Sequence, residues 1–244
     1  MTTVSEIEKE KALLPELEEL LLAGAHLGYG KSTRHPKMQD FIFGSRNNIE
    51  IFDLSHTLNQ IKAAEAFLKE LGKNRKAVLW VGTKPSANIS VESAAAKLKL
   101  PFVNDRWLGG TLTNFKIIDG RLKYWADLEN ELATGGFEKY VKKEKLLKMV
   151  EMRKLNRMLR GIKTMKALPD AMVIVDPKEE KTAFAEAKIK KIPVIALLNT
   201  DCNPEGVAYP IAANDNSASA IALILNRLAS AYETGTKESP SVSN

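Results

Sequence analysis

Short, wholly apolar runs that alternate with helical patterns constrain the fold of this 244-residue chain more than any other feature. Runs of this kind are typical of parallel strands that are buried on both faces. Helical patterns follow the runs at about 86–98, 179–190 and 215–232, and PFVN (101–104) adds a short strand. The alternation predicts an α/β fold with a parallel sheet and helices on both faces. The three longest runs are AVLWVG (77–82), AMVIVD (171–176) and IPVIALLN (192–199).

A different periodicity interrupts this alternation after Val103. The segment NDRWLGGTLTNF (104–115) is a Gly-rich loop, and apolar residues then recur every three or four positions on both sides of ATGGF (133–137). This spacing predicts two antiparallel helices that are joined by a Gly-Gly turn and bury their apolar stripes against each other. The predicted stripes are Ile118, Leu122, Trp125, Leu128 and Leu132, then Met149, Met152, Leu155, Leu159 and Ile162.

These patterns divide the chain into four parts. Residues 1–23 are predicted to be an N-terminal extension and helix, because leucines line one face up to Gly24. Residues 24–110 and 164–232 form the predicted α/β core domain, and 111–163 form the inserted helical hairpin. Residues 233–244 are polar and are expected to be a disordered tail.

Positive charge is concentrated in one segment. The formal net charge is +6, but between Lys139 and Lys166 eleven basic residues face only Glu144 and Glu151, so the rest of the chain is net negative. A local excess of this size predicts either a surface for a polyanion or an ordinary solvated helix face.

Cysteine content and hydropathy suggest a compartment. Cys202 is the only cysteine, which excludes an internal disulfide and fits the reducing cytosol. The first residues lack the features of a signal peptide, and no apolar run approaches the length that spans a bilayer. We therefore expect a cytoplasmic protein without a membrane partner.

Catalytic motifs are weak in this sequence. Ala25–Ser32 misses the phosphate-loop pattern by one residue, and it follows a helix where a phosphate loop follows a strand. VGTK (81–84) follows a strand and could bind a phosphate, while Cys202 could be a nucleophile or a packed side chain. The histidines lack metal-ligand spacing, and no acid, base and nucleophile come together. We expect no enzyme, no metal and no cofactor.

From about Leu20 to Tyr232 the chain resembles protein two of the bacterial-type small ribosomal subunit. The resemblance rests on the order and spacing of GAHLG (24–28), PKM (36–38), FIFGSRN (41–47), VGTK, RWLGG (106–110), LTN (112–114), GIK (161–163), LPDA (168–171), NTDCNP (199–204) and AND (213–215). The sequence departs from the family pattern at Tyr29 for His, His35 for Asn, Asn199 for Asp, and Ala212-Ala213 for Pro-Gly.

The resemblance implies a Rossmann-like or flavodoxin-like domain that is interrupted by a protruding helical hairpin. It also implies a structural, non-catalytic role in translation: the protein would bind small-subunit ribosomal RNA and other small-subunit proteins, including the large multi-domain OB-fold protein. A nucleotide-binding enzyme on a doubly wound sheet remains the alternative.

Lys and Arg on rigid elements can grip RNA phosphates, so three groups of cations are the predicted RNA contacts. Trp107 either stacks on a base or packs beneath Gly109 and Gly110, which we expect to permit a sharp chain exit. The predicted contacts are Lys31, Arg34, Lys37 and Arg46; Lys84 and Arg106; and, on the hairpin, Lys142, Lys143, Arg153 and Arg157.

Overall fold

The computed structural model describes residues 15–239. Helix α1 covers residues 15–22 of this part of the chain, and a small sheet follows with β1 (Leu27–Gly30), β2 (Ile42–Arg46) and β3 (Ile49–Phe52). The next elements are α2 (Leu54–Lys73), β4 (Val78–Val81), α3 (Asn88–Leu98) and β5 (Phe102–Val103). Helices α4 (Phe115–Ala133) and α5 (Lys142–Leu159) come next, and the chain then forms β6 (Ala171–Val175), α6 (Lys181–Ile189), β7 (Val194–Leu198), β8 (Tyr209–Ala212) and α7 (Ala218–Glu238).

The main sheet has five parallel strands in the order β5-β4-β6-β7-β8. The chain moves outward from β4 to β5 and then returns to the other side of β4 at β6, which is the flavodoxin-like order. The α/β fold predicted from the apolar runs is therefore confirmed. In such sheets the crevice at the carboxyl ends of the two strands beside the reversal, here β4 and β6, is the usual place for a ligand.

Each face of the main sheet has its own hydrophobic core. Trp80, Val173 and Ile195 pack on one face in a cluster that includes residues of α2, α3 and α7. Their neighbours along the strands, such as Leu79 and Ile174, pack on the other face with residues of α4, α5 and α6. Because both faces are covered, every residue of the three central strands is buried, which explains why these strands are apolar throughout.

Helices α4 and α5 form the predicted antiparallel hairpin. A hydrogen bond links Tyr124 to Glu151, and an ion pair links Glu131 to Lys148 nearer the tip. Gly135 turns the chain at the tip in the left-handed conformation, at φ 74°. The stripe is buried near the core and becomes more exposed towards the tip: Ile118, Leu122, Trp125, Leu128, Leu155, Leu159 and Ile162 are buried, Met149 and Met152 are half-buried, and Leu132 is exposed.

Strands β1 and β8 were not predicted. β1 is LGYG and β8 is YPIA, so glycines and a proline obscure the strand pattern in both. Within the described residues both lie at the edge of their sheets, where such residues are tolerated: β1 pairs with β3 in the antiparallel order β1-β3-β2, and β8 pairs only with β7.

The predicted tail is partly wrong, because α7 continues to Glu238 and does not end at Tyr232. Glu233 and Lys237 form an ion pair one turn apart, with 2.6 Å between the carboxylate and the ammonium. Glu238 also pairs with Lys69 and Lys73 of α2. These contacts hold the polar segment 233–238 in a helix. Residues 1–14 and 240–244, which include most of the predicted extension and the end of the tail, lie outside the described residues.

Candidate nucleic-acid interface

The ten predicted RNA-contacting cations divide into two sets by their protein contacts. The paired set, whose side chains already bind a carboxylate of the same chain, is Arg34, Lys37, Lys84 and Arg157. The open set is exposed and makes no side-chain hydrogen bond or ion pair within residues 15–239; it consists of Lys31, Arg46, Arg106, Lys142, Lys143 and Arg153.

Lys84 is held by side-chain contacts at the carboxyl end of the main sheet. It follows β4, and its Nζ lies 2.7 Å from Asp215 Oδ2 and 2.9 Å from Asp176 Oδ2, while it also donates to Tyr29 Oη at 3.2 Å. Burial alone would lower the pKa of the Lys84 ammonium, but its hydrogen bonds to Asp215 and Asp176 outweigh burial and raise it. The ammonium is therefore permanently charged and neutralises carboxylates of the protein itself.

Lys84 and Asp176, with Asp215 and Tyr29 bound to Lys84, lie at the carboxyl ends of β4 and β6, where doubly wound sheets usually bind ligands. Two of the departures from the family pattern contribute to this cluster: Tyr29 accepts from Lys84, and Asn199 donates to Asp215 Oδ1 at 2.6 Å. A phosphate placed here would meet Asp176 and the wholly buried Asp215, so the crevice is unsuited to a nucleotide. Nowhere in the described chain do three or more His, Cys, Asp or Glu side chains form a metal-binding group.

Cys202 lies beside this cluster and is buried. Burial, together with the negative charge of Asp176 and Asp201, raises the pKa of its thiol far above the ordinary value. A thiol that stays protonated is a poor nucleophile, so of the two interpretations of Cys202 the structure favours a packed side chain.

Arg34 and Lys37 also bind carboxylates, whereas Lys31 and Arg46 of the same group bind none within residues 15–239. Arg34 Nη1 lies 3.0 Å from Oε1 of Glu50, whose side chain is only 1% exposed. Lys37 forms an ion pair with Glu205 at the surface. Arg34 thus neutralises a buried charge, and the part of this group that is open to an external anion is Lys31 and Arg46.

The root of the hairpin, where α5 returns to the core, brings Arg106 together with cations of α5. Arg106, Lys154 and Arg157 line a cleft of about 350 Å³, and Arg157 pairs there with Asp105 through two guanidinium nitrogens. The sequence had grouped Arg106 with Lys84, but the fold places it with the hairpin. Lys154 was missed, although its spacing of three from Arg157 would put both on one helix face.

The RWLGG loop that leads into the hairpin is held by a carboxylate. Glu186 of α6 accepts hydrogen bonds from Trp107 Nε1 at 3.0 Å and from the backbone N–H groups of Gly110, Leu112 and Thr113 at 2.8–3.0 Å. The Thr113 hydroxyl is a fifth donor. Burial would raise the pKa of Glu186, but these hydrogen bonds outweigh burial and lower it. The loop therefore encloses an internal anion.

This arrangement bears on Trp107 and the two glycines. Trp107 is buried, and its indole N–H is bonded to Glu186, so the ring is packed beneath the loop and is not available to a base. Gly110 has φ 91°, a conformation that favours glycine. Gly109 has no positive φ, and a Cβ placed there would meet no described atom within 4 Å, so of the two glycines only Gly110 has a steric reason to be glycine.

Glu186 was not singled out from the sequence. It lies between Ala183 and Ala187 on a helix face that is buried, and a charged residue on such a face is the signal that could have revealed it.

Comparison with known proteins agrees with the resemblance. The family model described as "Ribosomal protein S2" matches residues 20–235. The "Small ribosomal subunit protein uS2" of Saccharophagus degradans is 42% identical over 228 residues, which cover 93% of this chain and 93% of the relative. The protein of the same name from Nocardia farcinica is 44% identical over 221 residues, which cover 91% of this chain and 78% of the relative. The chain belongs to the ribosomal protein S2 family.

Proposed function

We propose that this protein is a structural component of the small ribosomal subunit and binds ribosomal RNA through its open set of cations. The observation that carries the proposal is that these six side chains are exposed, charged and uncommitted to any carboxylate within residues 15–239. Both relatives have names that refer to the small ribosomal subunit, which supports RNA as the polyanion.

The positions of the open cations suit a folded RNA. Arg46 ends β2, and Lys31 directly follows β1, so both lie at one end of the small sheet. Arg106 lies at the hairpin root, while Lys142, Lys143 and Arg153 lie along α5. Cations on several rigid elements can read the separation of phosphates in a folded RNA, which is how proteins recognise RNA shape.

The paired set has a different proposed role. Lys84 and Arg34 neutralise buried carboxylates, so we assign them to the stability of the fold. Lys37 and Arg157 are more exposed, and their surface ion pairs are weak enough to exchange for phosphate, so they keep their predicted RNA contacts as a smaller contribution.

The remaining parts of the proposal follow the family. The protein would lie in cytoplasmic ribosomes, contact neighbouring small-subunit proteins including the large OB-fold protein, and catalyse no reaction. Among residues 15–239 no helix is long and apolar enough to cross a membrane. The nucleotide-binding alternative gains no support, because Asp176 and Asp215 occupy the crevice that a nucleotide would need.

Two measurements test the proposal. Purified protein should co-sediment with small subunits that lack it, and added salt should weaken this association because cation–phosphate contacts are screened. A titration of the isolated protein with ATP should show no saturable binding. Failure to co-sediment, or saturable nucleotide binding with turnover, would contradict the proposed function.

A further inference from the structure

A groove of about 640 Å³ runs between α2 and α7 on the surface of the core domain. Ala66 of α2 and Leu223 and Ala231 of α7 give it an aliphatic lining. Both helices pack on the face of the main sheet opposite to α4 and α5. The described residues that line the groove include none of the ten predicted RNA-contacting cations, so the groove is separate from the candidate nucleic-acid interface.

Helix α1 runs beside α7 in the direction of this groove. Where α1 ends, the Ala23 carbonyl oxygen accepts a hydrogen bond from Ser217 Oγ at 2.8 Å, next to the first residue of α7. Where α1 begins, Glu16 Oε2 lies 3.3 Å from both Lys62 Nζ and Arg227 Nη2, and both of these cations line the groove. Followed backwards, the chain therefore passes along α7 to the groove, and the residues that precede α1 are directed into it.

The residues before α1, which we call the N-terminal segment (1–14), are long enough to cover the rest of the groove. From Arg227 the groove extends along α7 to Thr234, a distance of about 10 Å at the rise of a helix. A chain of this length spans about 21 Å even as a helix.

The sequence of the N-terminal segment suits the lining of the groove. It is MTTVSEIEKEKALL, which has three glutamates against two lysines and ends in Leu13 and Leu14 directly before α1. The charged residues that line the groove have the opposite balance, because they are the three cations Lys62, Lys69 and Arg227 and the single acid Glu65. The contact of Glu16 with Lys62 and Arg227 already shows a carboxylate of this part of the chain at the end of the groove.

From these observations we propose that the N-terminal segment binds in the α2–α7 groove of its own chain, with its leucines on the aliphatic lining and its glutamates beside the cations. Burial of aliphatic side chains against this lining is favourable. The segment is tethered at Glu16, and a short tether gives an effective concentration on the order of millimolar, so a second copy of the chain competes poorly for the same groove. The inference goes beyond the proposed function and does not depend on it.

Photo-crosslinking of the purified full-length chain tests which segment binds in the groove. Benzoylphenylalanine replaces Ala66, which is exposed, so the fold should be unaffected. The matched variant carries the probe in place of Ala63, another exposed alanine of α2, outside the described lining of the groove. Each variant is mixed with isotopically labelled unmodified chain before irradiation, and mass spectrometry of the proteolytic peptides then shows which segment is crosslinked and from which chain.

We expect the probe at position 66 to crosslink to the N-terminal segment of its own chain, and the probe at position 63 not to reach that segment. Crosslinking to the segment of a labelled chain would show that a second copy binds the groove. Crosslinking to another part of the chain, or to nothing, would show that the segment lies elsewhere. Each of these results would overturn the inference. Because the experiment contains no RNA and no small subunits, its failure would leave the proposed function intact.

A double-mutant cycle on the full-length chain adds a quantitative test. The double variant Leu13→Ser, Leu14→Ser should lower Tm by about 5 °C, the size of effect expected from exposing two partly buried leucines in a chain of this length. Ala231→Glu adds bulk and negative charge to the lining and should exclude the segment. In the Ala231→Glu background the two serine substitutions should therefore change Tm by less than about 2 °C.

The background dependence separates binding in the groove from a role of the leucines within the N-terminal segment and α1 alone. In the latter case the serine substitutions would lower Tm equally in both backgrounds, and that result would overturn the inference. Leu22→Ser is the matched control, because Leu22 lies on α1 and is 87% exposed. It should change Tm by less than about 2 °C in either background.

Discussion

Glu186 offers the sharpest test of how the hairpin is attached to the core. The Glu186→Ala substitution removes the acceptor of five hydrogen bonds from the RWLGG loop and its continuation. The Trp107 indole N–H and the Leu112 backbone N–H are buried, so water cannot replace the lost carboxylate. The other three donors are partly exposed or near the surface, and water can satisfy them in part.

The expected loss of stability follows from this division. Two buried donors without an acceptor cost about 1–3 kcal/mol each, and three re-solvated donors cost about 0.5 kcal/mol each, so Glu186→Ala should lower the free energy of unfolding by at least about 3.5 kcal/mol. For a chain of this size that corresponds to a fall in Tm of about 10 °C or more. Glu186→Gln keeps one carbonyl oxygen as an acceptor, but its amide NH₂ group then faces loop donors that had bonded to the second carboxylate oxygen. It should therefore lower the free energy of unfolding by about 2 kcal/mol.

Urea denaturation and calorimetry measure both values, and Glu70→Gln on the exposed face of α2 is the matched control, with an expected change near zero. Hydrogen bonding lowers the pKa of Glu186 below 4.5, so the advantage of glutamate over glutamine should be complete above that pH. It should diminish as the pH falls through the folded-state pKa. A cost below about 1 kcal/mol for Glu186→Ala would refute the reasoning, since ordinary surface changes alone cost up to about 0.5 kcal/mol.

Three further predictions concern the paired set and the hairpin junction. Arg34→Gln leaves the buried Glu50 without its cation and should lower the free energy of unfolding by about 2 kcal/mol in urea melts, whereas Arg46→Gln should change it by less than about 0.5 kcal/mol. Lys84→Met leaves Asp176 and Asp215 facing each other; it should cost about 3 kcal/mol at pH 7, and the loss should shrink as the pH falls and a carboxylate takes up a proton. Gly161→Ala places a Cβ against the Phe102 carbonyl oxygen and should lower Tm by several degrees, because overpacking costs about 1–3 kcal/mol. Gly120→Ala, within α4 and with open space around it, should instead raise Tm slightly.

Strands buried on both faces were predictable from sequence because their burial leaves no choice of residue type. β4, β6 and β7 are apolar at every position, and the hairpin stripes follow the helical period. β1 and β8 could not be predicted, since their strand geometry comes from pairing with β3 and β7 and not from their own Gly- and Pro-containing sequences. The end of α7 was missed because its ion pairs reach α2, which is distant in the chain.

The sequence was enough to predict which cations belong to the candidate site, but not which of them are free of carboxylate partners and open to RNA. Three of these cations pair with carboxylates that are distant in the sequence. The separation is 16 positions for Arg34 and Glu50, 52 for Arg157 and Asp105, and 131 for Lys84 and Asp215. Such partners depend on tertiary structure, so charge counting along the chain overstates the surface that RNA can use. Glu186 shows the converse, because a conspicuous loop motif proved to be organised by one residue more than 70 positions later.

The salt dependence of ribosomal RNA binding tests the central claim most directly. Each phosphate contact contributes about 0.7–0.9 to the slope of log affinity against log salt, a figure taken from DNA and single strands. Neutralising Lys31, Arg46 and Arg153 to Gln should therefore reduce the slope by about 2, with folding unchanged. Neutralising Lys37 and Arg157, whose charges are already paired, should reduce it by less than about 1. An unchanged slope for the open-set variant, or a larger reduction for the paired-set variant, would contradict the account.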